Sequence, residues 1–485
     1  MSPDVRTTGV NETSSLNIGS SSARLYAAGC ELVHYHGLNG SLRGRGGVDV
    51  QRFDSGHSAG TVGQPGLVHR PALLHASGAG LMPDFKAQLR TVRLVGQVGY
   101  HVAAERLRRR PITALQDVPP SPEKLTNEWL TLALCQRVRG AAVTGFELGP
   151  RNDGTSARRT LRVSYNAAGR DGGLPEAVFT KSAPSFLNRM VGAGARLAQI
   201  EASFYRVVRP ELDIEAPATL CSAFDPVSHR LMLLTDDVTV TRGATFGTAL
   251  DRRLNRAQAQ QVVATLAALH ARYWNAPLEN MFGDWLRDTQ QYLQMLDGAL
   301  DASARILSGF ERARHVIPPQ VYARRREVYT ALVESQRHSA FGGLTTFLHG
   351  DVHPGNWYLT RDGSLGLYDW QMCVIGGPAR DLAYALTSHL AIEDRRAWER
   401  ELLECYRDEL AARGVGTPPG AADLFLAYRR QVVYGMFAWL ATIGRSPLQP
   451  KYQPDEISLA NLERMTQACA DLDTLDALQG RRVAS

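Results

Sequence analysis

Phe347-Leu348-His349-Gly350-Asp351-Val352-His353-Pro354-Gly355-Asn356, followed after a β-like run by Gly366-Leu367-Tyr368-Asp369-Trp370-Gln371, is the most informative part of this chain. An aspartate stands five residues before an asparagine in a turn-rich loop, ahead of a short strand that delivers a second aspartate. Phosphoryl transfer to a hydroxyl or amine needs one carboxylate near the nucleophile's proton and separate oxygen ligands for the Mg²⁺ that bridges the phosphates. Asp351, Asn356 and Asp369 are of the right types for these roles. Taken singly, each is also an ordinary turn residue or helix cap; taken together between hydrophobic strands, they read as a site.

The same order of residues occurs in the catalytic and metal loops of protein kinases. On these motifs the chain resembles the aminoglycoside phosphotransferase and choline-kinase-like superfamily, in particular its ecdysteroid-kinase-like branch, over about three quarters of its length from Leu125 onward. His349-Gly350-Asp351 stands where protein kinases have His-Arg-Asp, and Gly377-Pro378-Ala379-Arg380-Asp381-Leu382-Ala383-Tyr384 follows the second aspartate closely. Asp381 follows Asp369 by only twelve positions, too few for an activation loop, which argues against a protein kinase.

The resemblance implies a two-lobed, protein-kinase-like α+β fold with a small strand-rich N-lobe and a larger, mainly helical C-lobe. It implies ATP as co-substrate, Mg²⁺ as cofactor and a small-molecule alcohol as acceptor. Asp351 becomes the base, Asn356 and Asp369 the magnesium ligands, and Lys181, paired with Glu201, the holder of the ATP phosphates. Glu201-Ala202-Ser203-Phe204-Tyr205 matches the family's Glu-x-x-Phe-Tyr pattern, and Lys181 ends a strand in a chain with only four lysines. Asp381 is expected to brace the catalytic loop without touching substrate, His349 and His270 to be structural, and His353 is left open.

The nucleotide loop is expected at Gly149–Arg158, where backbone N–H groups of a turn can cradle phosphate and Gly154 permits close approach. Asn152-Asp153-Gly154 is equally a common hairpin turn. Similarity to the family's Gly-Thr-Ser segment assigns Gly154, Thr155 and Ser156 to ATP. Leu231–Asp237 resembles the hinge between lobes and reads as well as a buried strand ending in an acidic turn. Trp370-Gln371 replaces the Phe-Gly that follows the metal aspartate in protein kinases, which disfavours flipping of that loop.

Composition sets outer bounds. Of 485 residues 44% are hydrophobic and 21% charged, which excludes a wholly disordered, collagen-like or disulfide-knitted chain. The apolar run Val432–Gly444 spans thirteen residues against the roughly 20 needed to cross a bilayer, and reads as a buried helix. The net charge of +6 lies entirely in residues 1–110, with 13 basic and 7 acidic side chains, so the body offers no basic face for nucleic acid. Six scattered cysteines suggest neither zinc nor disulfides, and with no secretory signal pattern a cytoplasmic protein is expected.

Along the chain, residues 1–81 are rich in Gly, Ser and His without helical or strand period and read as a disordered extension. Residues 82–120 read as a basic helical segment and Pro-rich linker, 121–235 as the N-lobe and 236–485 as the C-lobe. Ser121 and Pro122 predict the N-cap and first residue of a helix on which Leu125, Trp129, Leu132 and Gln136 step at helical spacing. Strands are predicted at Val143–Leu148, Thr160–Tyr165, Ala177–Ser182, Ala218–Phe224 and Leu231–Thr235, a hairpin connection at Gly169–Gly173, and a helix at Ala195–Val208. The stretch Val238–Phe347, longer than protein kinases need, is expected to help form the acceptor pocket. A nucleotide-binding pseudokinase or scaffold is the rival reading, but a scaffold has no need for Lys181, Glu201, Asp351, Asn356 and Asp369 together. Acceptor identity and oligomeric state are not readable from these residues.

Overall fold

A computed structural model describes residues 85–107, 112–154, 156–339, 343–446, 451 and 453–479. The segment read as a disordered extension lies outside them, as does Thr155. A helix, α1 (Phe85–Leu107), lies within the predicted basic helical segment, whose Arg108, Arg109 and Arg110 fall outside the described residues.

Beyond the linker, α2 (Asn127–Leu134) starts later than the sequence suggests. Ser121 and Pro122 open only a single 3₁₀ turn, Leu125 is extended at φ −60°, ψ 147°, and Thr126 caps the helix by accepting from the Trp129 N–H at 3.1 Å. The capping hydroxyl nearest the helical run prevails, because it satisfies an end donor that Ser121 is too far away to reach.

Five antiparallel strands follow: β1 (Val143–Leu148), β2 (Ala157–Tyr165), β3 (Ala177–Ser182), β4 (Thr219–Asp225) and β5 (Arg230–Asp236), ordered β1-β2-β3-β5-β4, with Asn152–Asp153 folding back onto the start of β2. Period two dictates their faces. Leu161, Val163 and Tyr165 of β2 are buried while Thr160, Arg162 and Ser164 are exposed. Met232 and Leu234 of β5 pack with Trp129 and Leu130 of α2, whereas Leu231 and Leu233 face the opposite way into the main core. Gly169–Gly173 is not a bare hairpin: Ala167–Asp171 is a short helix capped by Asn166, whose Oδ1 accepts from Gly169 N–H at 3.0 Å.

Between β3 and β4 lie two helices where the sequence suggested one. In α3 (Phe186–Gly194) a Ser185/Asn188 capping box offsets the poor helix propensity of Gly192 and Gly194, which hides this helix from a periodicity reading. Arg196, left-handed at φ 56°, separates it from α4 (Leu197–Ser203), and Phe204–Val208 continues as a π turn.

The helical part comprises α5 (Arg256–Arg272), α6 (Thr289–Leu300), α7 (Ala302–Arg312), α8 (Val328–Arg337), α9 (Ala379–His389), α10 (Ile392–Ala412), α11 (Ala421–Ile443) and α12 (Asp455–Asp471), besides shorter turns. The apolar end of α11 runs through the middle of this core, touching α7, α8, α9 and α12. A Cβ on Gly309 of α7 would sit 2.4 Å from the Leu440 carbonyl oxygen of α11, so only glycine lets the two helices approach this closely. Among the described residues no helix is long and apolar enough to cross a membrane.

Two small sheets position the site. β6 (Thr346–Leu348) pairs with β9 (Val374–Gly376), and β7 (Trp357–Leu359) pairs with β8 (Leu365–Leu367) on one side and with Thr245–Phe246 on the other, so the loops 349–356 and 368–373 emerge side by side. The fold is the two-lobed, protein-kinase-like α+β arrangement, with these loops at the head of the helical lobe.

Candidate active site

The loop from β6 to β7 is held from below. Asp381, in the first turn of α9 and fully buried, accepts the backbone N–H of His349 at 2.8 Å and of Gly350 at 3.0 Å, and faces His270 Nε2 at 3.5 Å. Burial alone would raise its pKa, but the hydrogen bond and charge of His270, with His349, outweigh it and hold the carboxyl below the usual range. The chain can turn here because Gly350 is at φ 81°, where an added Cβ would lie 2.2 Å from the Met372 carbonyl oxygen. Tyr434 OH donates to the Gly350 carbonyl at 3.1 Å.

His349 links the two loops. Its Nδ1 accepts from Asp351 N–H at 3.2 Å, which places the ring proton on Nε2, the donor to the Tyr368 carbonyl at 3.0 Å. Burial lowers its pKa more than the nearby carboxylates Asp381 and Asp351 raise it, so the ring is neutral.

Both oxygens of Asp351 are engaged by neutral donors. Tyr384 OH donates to Oδ1 at 3.0 Å and Asn356 Nδ2 to Oδ2 at 3.0 Å; the same amide also donates to the Asp351 carbonyl at 2.7 Å. Burial, then the Asp351 charge, raises the Tyr384 phenol well above its ordinary pKa, so it remains a donor. His353, which the sequence left open, shapes the loop: its Nδ1 accepts from Gly355 N–H at 3.0 Å, and Nε2 stands 3.7 Å from Asp351 Oδ2. The Asp351 side chain keeps 21% of its surface open, against none for Asp381.

Across from this loop lies a charged cluster. Lys181 Nζ pairs with Glu201 at 2.7 Å, as the sequence suggested, and equally with Asp369 Oδ1 at 2.7 Å, which it did not. Burial would depress the lysine, but Asp369 and then Glu201 raise it above its ordinary value. Burial would raise Asp369, but Lys181 and then Arg158 hold it below the carboxylate range, so the pair is ionised. Asp369 sits in the left-handed region at φ 65°, and the next residue, Trp370, stacks on Phe204 with ring centroids 3.9 Å apart. The tryptophan thus ties the 368–373 loop to the turn that follows the helix bearing Glu201.

The nucleotide loop is less open than expected. Gly154 N–H donates to the Ser156 carbonyl at 2.9 Å, and the Gly154 carbonyl accepts from Asn188 Nδ2 at 3.3 Å. Ser156 Oγ is buried without a partner among the described residues, a donor free for an anion, and Ser156, Lys181, Glu201 and Gln371 line a recess of about 20 Å³. A wider groove of about 330 Å³ beside Thr245, Phe246 and Arg252 contains none of these residues. At the hinge, Asp236 accepts from Ala218 N–H and Asp237 caps a short helix through Thr239 N–H at 3.0 Å, so both acids serve the backbone.

Asp369 and Asn356 offer one carboxylate and one amide oxygen, hard donors that suit a Mg²⁺ completed by phosphates and waters. Asn356 Oδ1 is spared by the bonds of its amide nitrogen. Among the described residues no group of three or more His, Cys, Asp or Glu forms a self-sufficient metal cage. Sequence reading missed three residues here. Tyr384 lies three positions after Asp381 and hence on the same helix face, a spacing that could have revealed it. Arg158 closes the expected nucleotide loop but the motif assigns it no role of its own, and Tyr434 carries no comparable local signal.

Residues 151–418, more than half of the chain, match the model of the phosphotransferase enzyme family. None of the curated proteins matches. Among solved structures, choline kinase from Cryptosporidium parvum Iowa II aligns at 10% identity over 68% of this chain and 91% of its own, with a TM-score of 0.42. Aminoglycoside phosphotransferase from Alicyclobacillus acidocaldarius aligns at 15% identity over 69% and 92%, TM-score 0.36. Macrolide 2′-phosphotransferase MphH from Brachybacterium faecium aligns at 15% over 64% and 96%, TM-score 0.36.

Proposed function

This chain belongs to the phosphotransferase enzyme family, and from that premise we propose that it transfers the γ-phosphoryl group of ATP to a hydroxyl of a small molecule. The observation that carries the proposal is that a solvent-reaching Asp351, held by Tyr384 and Asn356, lies on a loop adjoining the one that carries Asp369, whose carboxylate forms an ionised pair with Lys181 of β3.

In this reading the acceptor hydroxyl donates to Asp351, whose orientation is set before substrate arrives. The hydroxyl oxygen forms the new bond to the γ-phosphorus as the bond to the ADP oxygen breaks, and the proton passes to Asp351 and on to solvent. A loose phosphoryl-transfer transition state asks for positioning and charge stabilisation more than for a strong base. Lys181, fixed by Glu201, turns from Asp369 towards phosphate oxygens. Asp369 and Asn356 are the residues that would hold Mg²⁺, which when bound neutralises phosphate charge.

The test separates chemistry from binding. Asp351→Asn is expected to keep the thermal shift induced by Mg·ATP while losing turnover by about 10²–10⁴-fold, because a positioned base acts only in the transition state. A parent protein that consumes no ATP across a panel of amino sugars, macrolides, sterol-like and choline-like alcohols would instead favour the scaffold reading.

A further inference from the structure

Period two along β2 sends Arg158 and Arg159 to opposite faces of the sheet. Arg159 is committed: Nη1 donates to the Gly149 carbonyl at 2.9 Å and Nη2 pairs with Glu123 at 2.5 Å. Arg158 lies directly across the β2–β3 ladder from Lys181, so the two side chains leave the sheet on the same face, with Cβ atoms about 5 Å apart. Its Nη2 reaches back beneath the nucleotide loop, 3.8 Å from where a Cβ on Gly154 would lie.

Although partly buried, the Arg158 guanidinium has no ion pair or hydrogen bond among the described residues. Its field still reaches the site, helping to hold the Asp369 carboxyl ionised and opposing the charge of Lys181. A second cation beside a lysine, without a carboxylate of its own, is unfavourable in the empty site. An anion between the loop and Asp369 reverses that. The loop needs such help, since the Gly154 N–H that could have cradled phosphate is taken by Ser156.

We propose that Arg158 is a phosphate-binding residue, gripping non-bridging oxygens of the nucleotide's β- and γ-phosphates from the loop side while Lys181 holds them from the sheet. The planar fork matches two oxygens at once, which a lysine cannot do. This inference rests on the phosphotransferase reading above.

Calorimetric titration of Arg158→Gln against the parent, with Mg·ATP, ADP and adenosine, tests it. Mg·ATP should bind roughly 10- to 100-fold more weakly, since hydrogen bonds to charged groups are the strong ones. Adenosine should bind as before, and the unfolding temperature without nucleotide should not fall, because no partner is lost. Arg158→Lys should recover part of the ATP affinity. Equal ATP binding by Arg158→Gln and parent, with Lys181→Met weakened as a control, overturns this inference and leaves the phosphotransferase reading standing. Parallel loss of adenosine and ATP binding, or a lowered unfolding temperature, marks a structural arginine and overturns it as well. A parent that binds no adenine nucleotide overturns both.

Discussion

Replacing Asp381 by asparagine removes one oxygen from a carboxylate that is used on both sides. The backbone N–H groups of His349 and Gly350 point at separate oxygens, at 2.8 and 3.0 Å, from consecutive residues of one loop. An asparagine of the same shape can offer its oxygen to only one of them. Its NH₂ group then meets the other donor head-on, and rotating the amide merely exchanges which backbone group is left without an acceptor. A buried donor without a partner costs about 1–3 kcal/mol, and the surviving bond loses its charge assistance, so the expected destabilisation is about 2–4 kcal/mol. Against a total of about 5–15 kcal/mol for folded proteins, that weakens the fold without abolishing it.

Urea unfolding at pH 7 should show a lower midpoint for Asp381→Asn, with faster hydrogen exchange at the His349 and Gly350 amides. Turnover should fall with the displacement of Asp351, while Mg·ATP binding, set at Lys181 and Asp369, should fall less. The sign with pH follows from the depressed carboxyl: its contribution is complete above the ordinary carboxyl range and is lost only as pH falls through the lower folded value. If the variant unfolded within about 0.5 kcal/mol of the parent and both amides exchanged as slowly, the carboxylate would not be what holds the loop.

Mg·ATP should raise the unfolding temperature markedly more than ATP with EDTA, because Asp369 and Asn356 lack the charge to hold a triphosphate unaided; equal shifts would count against that pair. Asp369→Asn should lose both nucleotide binding and turnover, in contrast to Asp351→Asn, as titration alongside kinetics will show. Burial pushes His389 down to about 3, its Nε2 facing the Val352 carbonyl at 3.2 Å. The unfolded chain therefore binds the extra proton first, stability falls from roughly pH 6.5 downward by up to about 1.4 kcal/mol per pH unit, and His389→Gln should flatten that slope in thermal unfolding. Tyr384→Phe removes one neutral hydrogen bond to Asp351 and should lower kcat by about 3- to 10-fold with KM for ATP unchanged; a rise in that KM would place Tyr384 in the nucleotide site instead.

Much of this arrangement is legible in the sequence where physics acts locally. Strand period exposes β1 to β5 because each has a buried face, and the Asp351/Asn356/Asp369 spacing stands out because a turn-rich loop followed by a strand has few other reasons to carry those groups. What escapes is decided by distance or competition. Two glycines conceal α3, whose capping box compensates for them, and Thr126 displaces Ser121 as cap simply by lying closer to the helix. The Lys181–Asp369 pair joins residues 188 positions apart, and no local pattern announces it. Arg158 and Arg159 are identical in the sequence; period two says that they part, but only the packed structure shows which one finds a carboxylate.

The two loops divide the work by kind of interaction. The side proposed to hold the nucleotide is built of charges: Lys181 shared between Glu201 and Asp369, with Arg158 opposite it in the strand ladder. Such a cluster can exchange partners, since an arriving phosphate offers the lysine the same charge that Asp369 provides while it is empty. The side proposed to meet the acceptor is built of neutral donors, Tyr384 and Asn356 on Asp351 and the neutral His349 behind it. A cationic donor on Asp351 would compete with the acceptor's hydroxyl proton and tie the base to events at the phosphates. Neutral donors fix its direction without adding a cation that competes for the carboxylate. Asn356 belongs to both sides: it orients Asp351 and, in the proposed function, is one of the residues that would hold Mg²⁺, so on that reading one amide couples arrival of the nucleotide to the aim of the carboxylate.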